Sequence, residues 1–297
     1  MPVILDTDIA PDYDDVGAMA VLHSLADQNL LDIKGVISCN SFDLTGPTIQ
    51  IINEYFKRPK IPIGVPKGMA LNMGSPYKWS EYLVSKYPFR KQNYRDAIKL
   101  YRQLLSSADD KSITIITIGF LTNLAQLLES PADQISPLTG KELVLRKVNK
   151  LVVMGGKFPE GREYNIYKDA TSAHTVVNQW PTSIYFSGWE LGNPILTGFE
   201  LVHDYAIKNS PIKDVYAIGI HQSEIDKHGR MSWDQVTVVA AVDKYEEYFE
   251  LVQGTFVLDE KTGYNKWRDS TNGNHYYFKL KKSVNEITDL ITKLMHR

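Results

Sequence analysis

The sequence predicts an α/β fold, with a mainly parallel open sheet flanked by helices. Two observations lead to this prediction. Strand-like apolar runs alternate with helical stretches from residue 3 to residue 186. The run from Ile113 to Thr117 is β-branched at every position, which is typical of a parallel strand buried on both faces. The sequence has no internal repeat and no low-complexity linker, so we interpret residues 1–297 as a single domain.

The elements follow from the spacing of apolar residues. In the helix predicted at 94–108, for example, Leu100, Leu104 and Leu105 fall on one face. Residues 68–89 are rich in Tyr, Pro, Ser and Lys and are predicted as a long surface loop or lid. Residues 245–282 contain shorter strand-like pieces, interpreted as a hairpin. The predicted strands are 3–5, 33–38, 61–65, 113–117, 151–154 and 183–186, and the predicted helices are 14–25, 47–56, 94–108, 121–128, 172–180 and 285–296.

Composition excludes several classes of function. The net charge is −2, so the chain has no electrostatic footprint for nucleic acid or for an anionic membrane. Cys39 is the only cysteine, which rules out an internal disulfide and suits a reducing compartment. The first residues enter a strand without a basic or long apolar region, and no apolar run reaches the length of a membrane span. We therefore expect no signal peptide and a cytoplasmic location.

Five aspartates within ten residues follow the first strand: Asp6, Asp8, Asp12, Asp14 and Asp15. Packed carboxylates repel one another unless a cation neutralises them. Ligands that are all oxygen favour a hard cation, Ca²⁺ or Mg²⁺. One aspartate could simply cap the following helix, but a cap needs one Asp and not five. The spacing does not match an EF-hand loop, which needs a Gly at its sixth position and a Glu at its twelfth.

Polar residues also follow the other predicted strands. The second strand ends at Asn40, the fourth at the segment 118–123, and the fifth at Gly155–Gly156. Glu163, Asn165 and, at the start of a helix, Asp234 come later. Individually these could be helix caps or a tight turn. Together they predict one polar pocket at the carboxyl edge of a parallel sheet, where ligands of α/β proteins bind.

The order of these motifs resembles the inosine–uridine type nucleoside hydrolases over nearly the whole chain. The motifs are Asp-x-Asp with a later Asp-Asp at 6–15, Asn40, Gly-x-Leu-Thr-Asn at 119–123, Met-Gly-Gly at 154–156, Glu-x-Asn at 163–165 and Asp234. The resemblance implies a homologous fold, a bound Ca²⁺ and hydrolysis of the N-glycosidic bond of ribonucleosides to ribose and free base. It also implies a homodimer or homotetramer.

The resemblance implies roles for individual residues as well. Asp8, Asp15 and Asp234 would ligate Ca²⁺ together with the main-chain carbonyl of Ile118, and Asp8 would be the general base. Calcium suits this chemistry because it can hold the ribose diol and a water together near the anomeric carbon.

The ribose would be held by a second set of residues. By the same resemblance, Asp14 and Asn40 would bind the 2′- and 3′-hydroxyls, and Glu163 and Asn165 the 5′-hydroxyl side. Met154 would pack against the sugar.

Two departures from the family pattern concern Asp12 and the leaving base. Five residues, Ile9–Tyr13, separate Asp8 from the Asp-Asp pair instead of three, which leaves the role of Asp12 open. Trp233 stands before the last calcium aspartate, where many members have a His that helps the base leave. Trp233 could stack on the base or fill core space. His228 and His275 are candidate acids, and each could instead be a surface or packing histidine.

Two other functions are compatible with parts of the pattern. A haloacid dehalogenase-type phosphatase also begins with a strand and Asp-x-Asp, but it needs Thr or Val where Ala10 stands. A degenerate hydrolase that binds nucleosides or ribose without cleaving them would be compatible with Trp233.

Overall fold

The computed structural model describes residues 1–90 and 92–296. Within these residues, eleven strands form one sheet and two short strands form another. In chain order the strands are β1 Pro2–Thr7, β2 Asp32–Ser38, β3 Ile63–Val65, β4 Arg95–Asp96, β5 Ile113–Thr117, β6 Val148–Met154, β7 Glu160–Arg162, β8 Ser183–Ser187, β9 Leu196–Thr197, β10 Arg230–Met231, β11 Phe249–Leu258, β12 Tyr264–Asp269 and β13 His275–Leu280.

The large sheet is mainly parallel, which confirms the predicted fold class. Its order is β4-β3-β2-β1-β5-β6-β8-β13-β11-β12-β7. Neighbours from β4 to β13 pair in parallel, and β11, β12 and β7 extend the sheet in antiparallel pairs. The chain leaves β1 toward β2 on one side and later returns to β5 on the other. The gap between the carboxyl ends of β1 and β5 is therefore the topological switch point, where α/β folds bind ligands.

Helices cover both faces of the sheet. On β1, Val3 and Leu5 belong to one apolar cluster and Ile4 to the other, as the alternation of a strand requires. No helix among the described residues is both long and apolar enough to cross a membrane. In chain order the helices are α1 Asp14–Asp27, α2 Thr45–Tyr55, α3 Trp79–Lys86, α4 Ala97–Ser106, α5 Thr122–Glu129, α6 Gly140–Lys147, α7 Tyr164–Lys168, α8 Ala170–Gln179, α9 Trp189–Gly192, α10 Phe199–His203, α11 Pro211–Gln222, α12 Trp233–Ala240 and α13 Val284–Met295, with a 3₁₀ turn at Asp243–Tyr248.

Helix α1 is buried along nearly its whole length, from Asp14 to Leu25. It packs between the sheet and helices α11, α12 and α13. From Val16 to Leu22 its sequence is apolar on all sides, which is what an enclosed helix requires. This burial fixes the N-terminal end of α1, with its two aspartates, at the carboxyl edge of the sheet.

The prediction that 68–89 is one surface loop or lid is wrong for its second half. Residues Trp79–Lys86 form helix α3, and the side chains of Trp79 and Leu83 are completely buried. These two residues anchor α3 against α2 and α11. The Tyr, Ser and Lys content of the segment suggested a loop. Burial of two apolar side chains one helical turn apart stabilises a helix there instead.

Two further differences lie in the second half of the chain. The segment 245–282 contains three strands, β11, β12 and β13, that continue the main sheet, rather than an isolated hairpin. Helix α11 was not predicted from the sequence. Its start does have a recognisable signal, because Ser210 accepts a hydrogen bond from the Lys213 N–H and Pro211 occupies the first turn.

Candidate active site

A cavity of about 320 Å³ opens where β1, β5 and β6 end. These strands are parallel, so the residues after their last positions meet at one edge of the sheet. The site residues predicted from the sequence that line the cavity are Asp8, Asp14, Asp15, Ile118, Met154, Glu163, Asn165, Trp233 and Asp234. The remaining lining residues are Pro11, Asp12, Tyr164, Trp189 and Arg230.

Two helix N-termini converge on the acidic end of this cavity. Asp14 and Asp15 are the first two residues of α1, and Asp234 is the second residue of α12. The two helices pack against each other, and the backbone of Asp234 acts to lower the pKa of Asp14. Free N–H groups and the positive end of the helix dipole favour anions at such positions. This local arrangement lets three carboxylates lie side by side in the interior.

Burial is the main influence on these carboxylates. It raises the pKa of Asp8, Asp15 and Asp234 well above the usual aspartate range, and repulsion from neighbouring aspartates raises each pKa further. Burial, with the nearby charge of Asp12, raises the pKa of Asp14 to about 7 even though Arg230 opposes the shift. Burial and mutual repulsion thus make the charged form of these carboxylates costly.

Among the residues that the structure describes, Arg230 is the cation that pairs with the cluster. One guanidinium nitrogen, Nη2, contacts Asp12 and lies 3.4 Å from an Asp14 oxygen, and Nη1 lies 3.6 Å from Asp226. Within the described part of the chain, no Lys, Arg or His nitrogen lies within ion-pair distance of Asp8, Asp15 or Asp234. Buried carboxylates without a partner are costly, so these three need a counter-ion or a proton.

The donor set suits a hard cation. Its groups are all oxygen, namely the carboxylates of Asp8, Asp15 and Asp234 and the carbonyl of Ile118, with Thr7 Oγ1 donating to the Asp15 carboxylate. Oxygen ligands and several carboxylates are what Ca²⁺ prefers. Across residues 1–90 and 92–296, no group of three or more His, Cys, Asp or Glu side chains is arranged so that it could hold a metal ion. The chemistry of the donors fits a metal ion, but their side chains as placed do not surround one.

Glu163 and Asn165 form the end of the cavity next to β6. The Glu163 carboxylate accepts backbone N–H bonds from Asn165 at 2.9 Å and from Ile166 and Gly156 at 3.2 Å each. It thereby caps the N-terminus of α7. Burial outweighs these bonds and raises the pKa of Glu163 to about 7. Asn165 Nδ2 lies 3.3 Å from the carbonyls of both Ile118 and Met154, so it ties the ends of β5 and β6 together.

Trp233, Trp189 and Arg230 form an aromatic wall of the cavity. The indole Nε1 of Trp233 donates to the backbone carbonyl of Trp189 at 2.9 Å, and the two rings lie 6.4 Å apart at a 33° tilt. The guanidinium of Arg230 lies 5.1 Å from the Trp233 ring centre and 5.2 Å from that of Tyr13. The wall is flat, apolar and bordered by one positive charge, which suits a heterocyclic base.

Asn40 is buried beside the cavity but does not line it. Its amide donates to the backbone carbonyls of Asp8 and Met73, and its oxygen accepts from the N–H groups of Met73 and Phe42. Asn123 makes a similar brace, donating to Asp6 and to the carbonyl of Ser38. In this structure both asparagines hold strand ends in place, and the direct ribose contact implied for Asn40 stays a prediction.

Neither candidate histidine lines the cavity. His228 is an exposed loop residue. His275 is buried in β13, where its Nδ1 accepts the Phe256 N–H at 3.1 Å and its ring packs edge-on against Phe186. Burial lowers the pKa of His275, which keeps it neutral within the sheet. Neither side chain therefore borders the cavity in which a base would bind.

Sequence reasoning missed Arg230, Trp189 and Tyr164. Trp189 had a usable signal, since β8 ends at Ser187 beside β6 and its following residues must reach the same edge. Tyr164 stands between two predicted residues. Arg230 had no signal, because a single arginine in a polar loop carries no pattern. Asp12, whose role the sequence left open, lies at the cavity and pairs with Arg230.

Comparison with known proteins gives a family match over most of the chain. The model of the family described as inosine-uridine preferring nucleoside hydrolase matches residues 3–276. The inosine-uridine preferring nucleoside hydrolase of Crithidia fasciculata is 27% identical over 223 residues, which are 71% of this chain and 63% of that protein. The protein of the same description from Leishmania major is 25% identical over 230 residues, 73% of this chain and 66% of that protein. The matches thus span less than two thirds of either relative.

Solved structures share the fold over the full length. A purine-preferring ribonucleoside hydrolase from Gardnerella vaginalis superposes with a TM-score of 0.76 at 16% identity, covering 100% of this chain and 99% of that one. A plant nucleoside hydrolase superposes with a TM-score of 0.74 at 20% identity, covering 99% and 98%. At these identities the likeness shows a common fold.

Proposed function

The chain belongs to the inosine-uridine preferring nucleoside hydrolase family, and we propose that it hydrolyses the N-glycosidic bond of ribonucleosides, releasing ribose and free base with a bound Ca²⁺. The observation that carries this proposal is the convergence of Asp8, Asp14, Asp15 and Asp234 in one cavity at the switch point of the sheet. Such a cluster supplies a metal site, a proton acceptor and an anionic surrounding for a cationic sugar.

The metal would be held by Asp8, Asp15, Asp234 and the carbonyl of Ile118. No Lys, Arg or His nitrogen of residues 1–90 and 92–296 lies within ion-pair distance of the three carboxylates, which supports this assignment. When bound, Ca²⁺ would lower the pKa of a water and fix it near the anomeric carbon.

The chain's own residues would handle the ribose and the proton. Asp8, directly after β1, would accept the proton of the attacking water. Asp14 would accept hydrogen bonds from the ribose diol, and Asn165 and Glu163 would face the 5′-hydroxyl side. Asn40 would contribute by holding the backbone of Asp8 in place. Because the reaction passes through an oxocarbenium-like sugar, by analogy with glycoside hydrolysis, the buried carboxylates would stabilise its positive charge.

The two alternative functions fare differently. The phosphatase interpretation falls, because the chain belongs to another family. A binding protein without hydrolytic activity would use the same cavity, so only turnover separates it from an enzyme. The oligomeric state stays a prediction, to be measured by light scattering of the purified protein.

Ribose release from a panel of purine and pyrimidine ribonucleosides, with and without added Ca²⁺, tests the proposal. Wild type should release ribose, and Asp8→Asn should be slower by about 10²–10⁴-fold. Asp243→Asn is a matched control, since Asp243 is exposed and outside the cavity. Nucleoside binding without ribose release would identify the degenerate binding protein, and an Asp8→Asn rate within about tenfold of wild type would refute the role of Asp8.

A further inference from the structure

Arg230 is the one cation among the described residues that line the cavity. Its side chain is only 10% exposed and is held between the rings of Tyr13 and Trp233. Every other ionisable group in the lining is a carboxylate, apart from the phenol of Tyr164. A nucleoside whose ribose lies on the aspartates would therefore find positive charge only at this wall.

The other candidate donors to the base are committed elsewhere, outside the lining or, like the indole of Trp189 and the phenol of Tyr164, uncharged. The Trp233 N–H is committed to the Trp189 carbonyl, and His228 and His275 lie outside the lining. Tyr164 remains, but its hydroxyl is neutral, because burial raises its pKa to about 12, and it lies 3.8 Å from the Met73 sulfur. A neutral phenol stabilises a departing anion less than a guanidinium does.

The guanidinium has donors to spare. Its Nη2 donates hydrogen bonds to Asp12 and Asp14, and Nη1 makes only a 3.6 Å ion contact with Asp226. The buried Nε has no hydrogen-bond partner among the described residues. Asp12, in the loop before α1, and Asp14 contact one nitrogen of the planar group, and the rings of Tyr13 and Trp233 lie 5.2 and 5.1 Å from its central carbon. The orientation of the guanidinium is thus fixed before a substrate binds.

We infer that Arg230 donates hydrogen bonds to the departing base and stabilises the negative charge that develops on it. This inference rests on the proposed hydrolase function and adds to it the group that assists the leaving base. Water attacks the anomeric carbon, and the electron pair of the breaking C–N bond passes to the base. Asp8 takes the water's proton, ribose gains the hydroxyl, and the base leaves as an anion paired with Arg230. The anion is protonated by solvent on release, since arginine itself does not give up a proton.

The experiment compares two leaving groups in Arg230→Gln and Arg230→Lys. Inosine needs assistance at its base, whereas p-nitrophenyl riboside has a leaving group that departs unaided. Losing one donor to developing charge typically costs about 10²–10³-fold, so kcat of Arg230→Gln on inosine should fall by that amount. Its kcat on p-nitrophenyl riboside should stay within about tenfold of wild type. Added guanidinium should partly restore inosine turnover, and Arg268→Gln, at an exposed position of β12, is the charge-matched control.

Each outcome decides the matter. Equal slowing of both substrates by Arg230→Gln would show that Arg230 only positions Asp14 on the ribose side, which overturns the inference and leaves the hydrolase function intact. If Arg230→Gln does not fold, Arg230→Lys is tested instead, because lysine retains the positive charge but lacks the planar set of guanidinium donors. Its ratio of inosine to p-nitrophenyl riboside turnover should then fall by about tenfold, and an unchanged ratio overturns the inference. If the wild-type protein releases ribose from neither substrate, both the proposed function and this inference are wrong.

Discussion

Trp233 donates its indole N–H to the backbone carbonyl of Trp189 across 2.9 Å, and this bond joins the start of α12 to α9. The residue before the last predicted calcium ligand is therefore fixed as part of a wall. Its only polar hydrogen is used within the protein, so Trp233 can offer a base its ring and nothing more.

The first prediction concerns that ring. Trp233→Phe keeps a flat face and loses the hydrogen bond, which should lower the free energy of unfolding by about 1 kcal/mol and change the inosine KM little. Trp233→Ala removes the face and should raise KM by about tenfold or more, since stacking on a base contributes about 1–3 kcal/mol. Steady-state kinetics and denaturant unfolding measure both effects. If Trp233→Phe and Trp233→Ala raise the KM for inosine equally, Trp233 does not stack on the base.

The second prediction concerns the metal. In EDTA, Asp234→Asn should unfold at a higher temperature than wild type, because it removes one of several repelling buried carboxylates. With Ca²⁺ at about 100 times its Kd, wild type should gain about 2.7 kcal/mol and become the more stable of the two. Thermal unfolding with and without EDTA tests this reversal, and elemental analysis should find about one calcium per chain.

Asp243→Asn serves as the control for the metal experiment, since the Asp243 side chain is 79% exposed. It should show no reversal between EDTA and Ca²⁺. If Asp234→Asn is the less stable protein under both conditions, the carboxylate is held by the protein alone and the calcium assignment fails.

The third prediction concerns Glu163. Its carboxylate accepts three backbone N–H bonds, and a glutamine at this place would turn an NH₂ group toward at least one of those donors. Glu163→Gln should lower the free energy of unfolding by about 1–3 kcal/mol. Glu160→Gln, at an exposed position of β7, is the matched control and should change the free energy of unfolding little. Equal stability of the two variants in urea would contradict the capping role.

The fourth prediction is a pH dependence of stability that arises outside the cavity. His23 lies buried in α1, stacked on Phe56 with Nε2 2.9 Å from the Asn53 oxygen, and its Nδ1 has no partner among the described residues. Burial lowers the pKa of His23 from 6.5 to about 4. Between these values the unfolded chain binds the proton and the folded protein does not, so stability falls as pH decreases from 6.5 toward 4.

The size of this effect is about 3 kcal/mol between pH 7 and pH 4. It should be measured as the difference in free energy of unfolding between wild type and His23→Gln, determined in urea at each pH with Ca²⁺ present. Taking the difference cancels the titration of the carboxylates that both proteins share. A difference that stays constant from pH 7 to pH 4 would show that His23 becomes charged in the folded protein as easily as in the unfolded chain.

The fold was largely predictable because its signals are local. The β-branched run of β5 and the alternation of apolar strands with helices identified the parallel sheet, and the strand ends identified where a site would form. The error at 68–89 arose because the composition of that segment is polar on average, whereas Trp79 and Leu83 decide the local structure by burial.

The sequence by itself determined the chemistry of the site. The side chains of Asp8, Asp14 and Asp15 must follow β1 and begin α1, and a group of carboxylates this dense needs a cation or protons once it is buried. Only the tertiary structure decided which distant residues complete the cavity. Trp189 reaches it because β8 ends at this edge of the main sheet, and Arg230 reaches it from the start of β10 in the separate two-stranded sheet, a long-range juxtaposition that no local spacing encodes. The same packing placed His275 inside the sheet and gave Asn40 four backbone-directed hydrogen bonds, since partners far apart in sequence, not the residue type, determine what a polar side chain does.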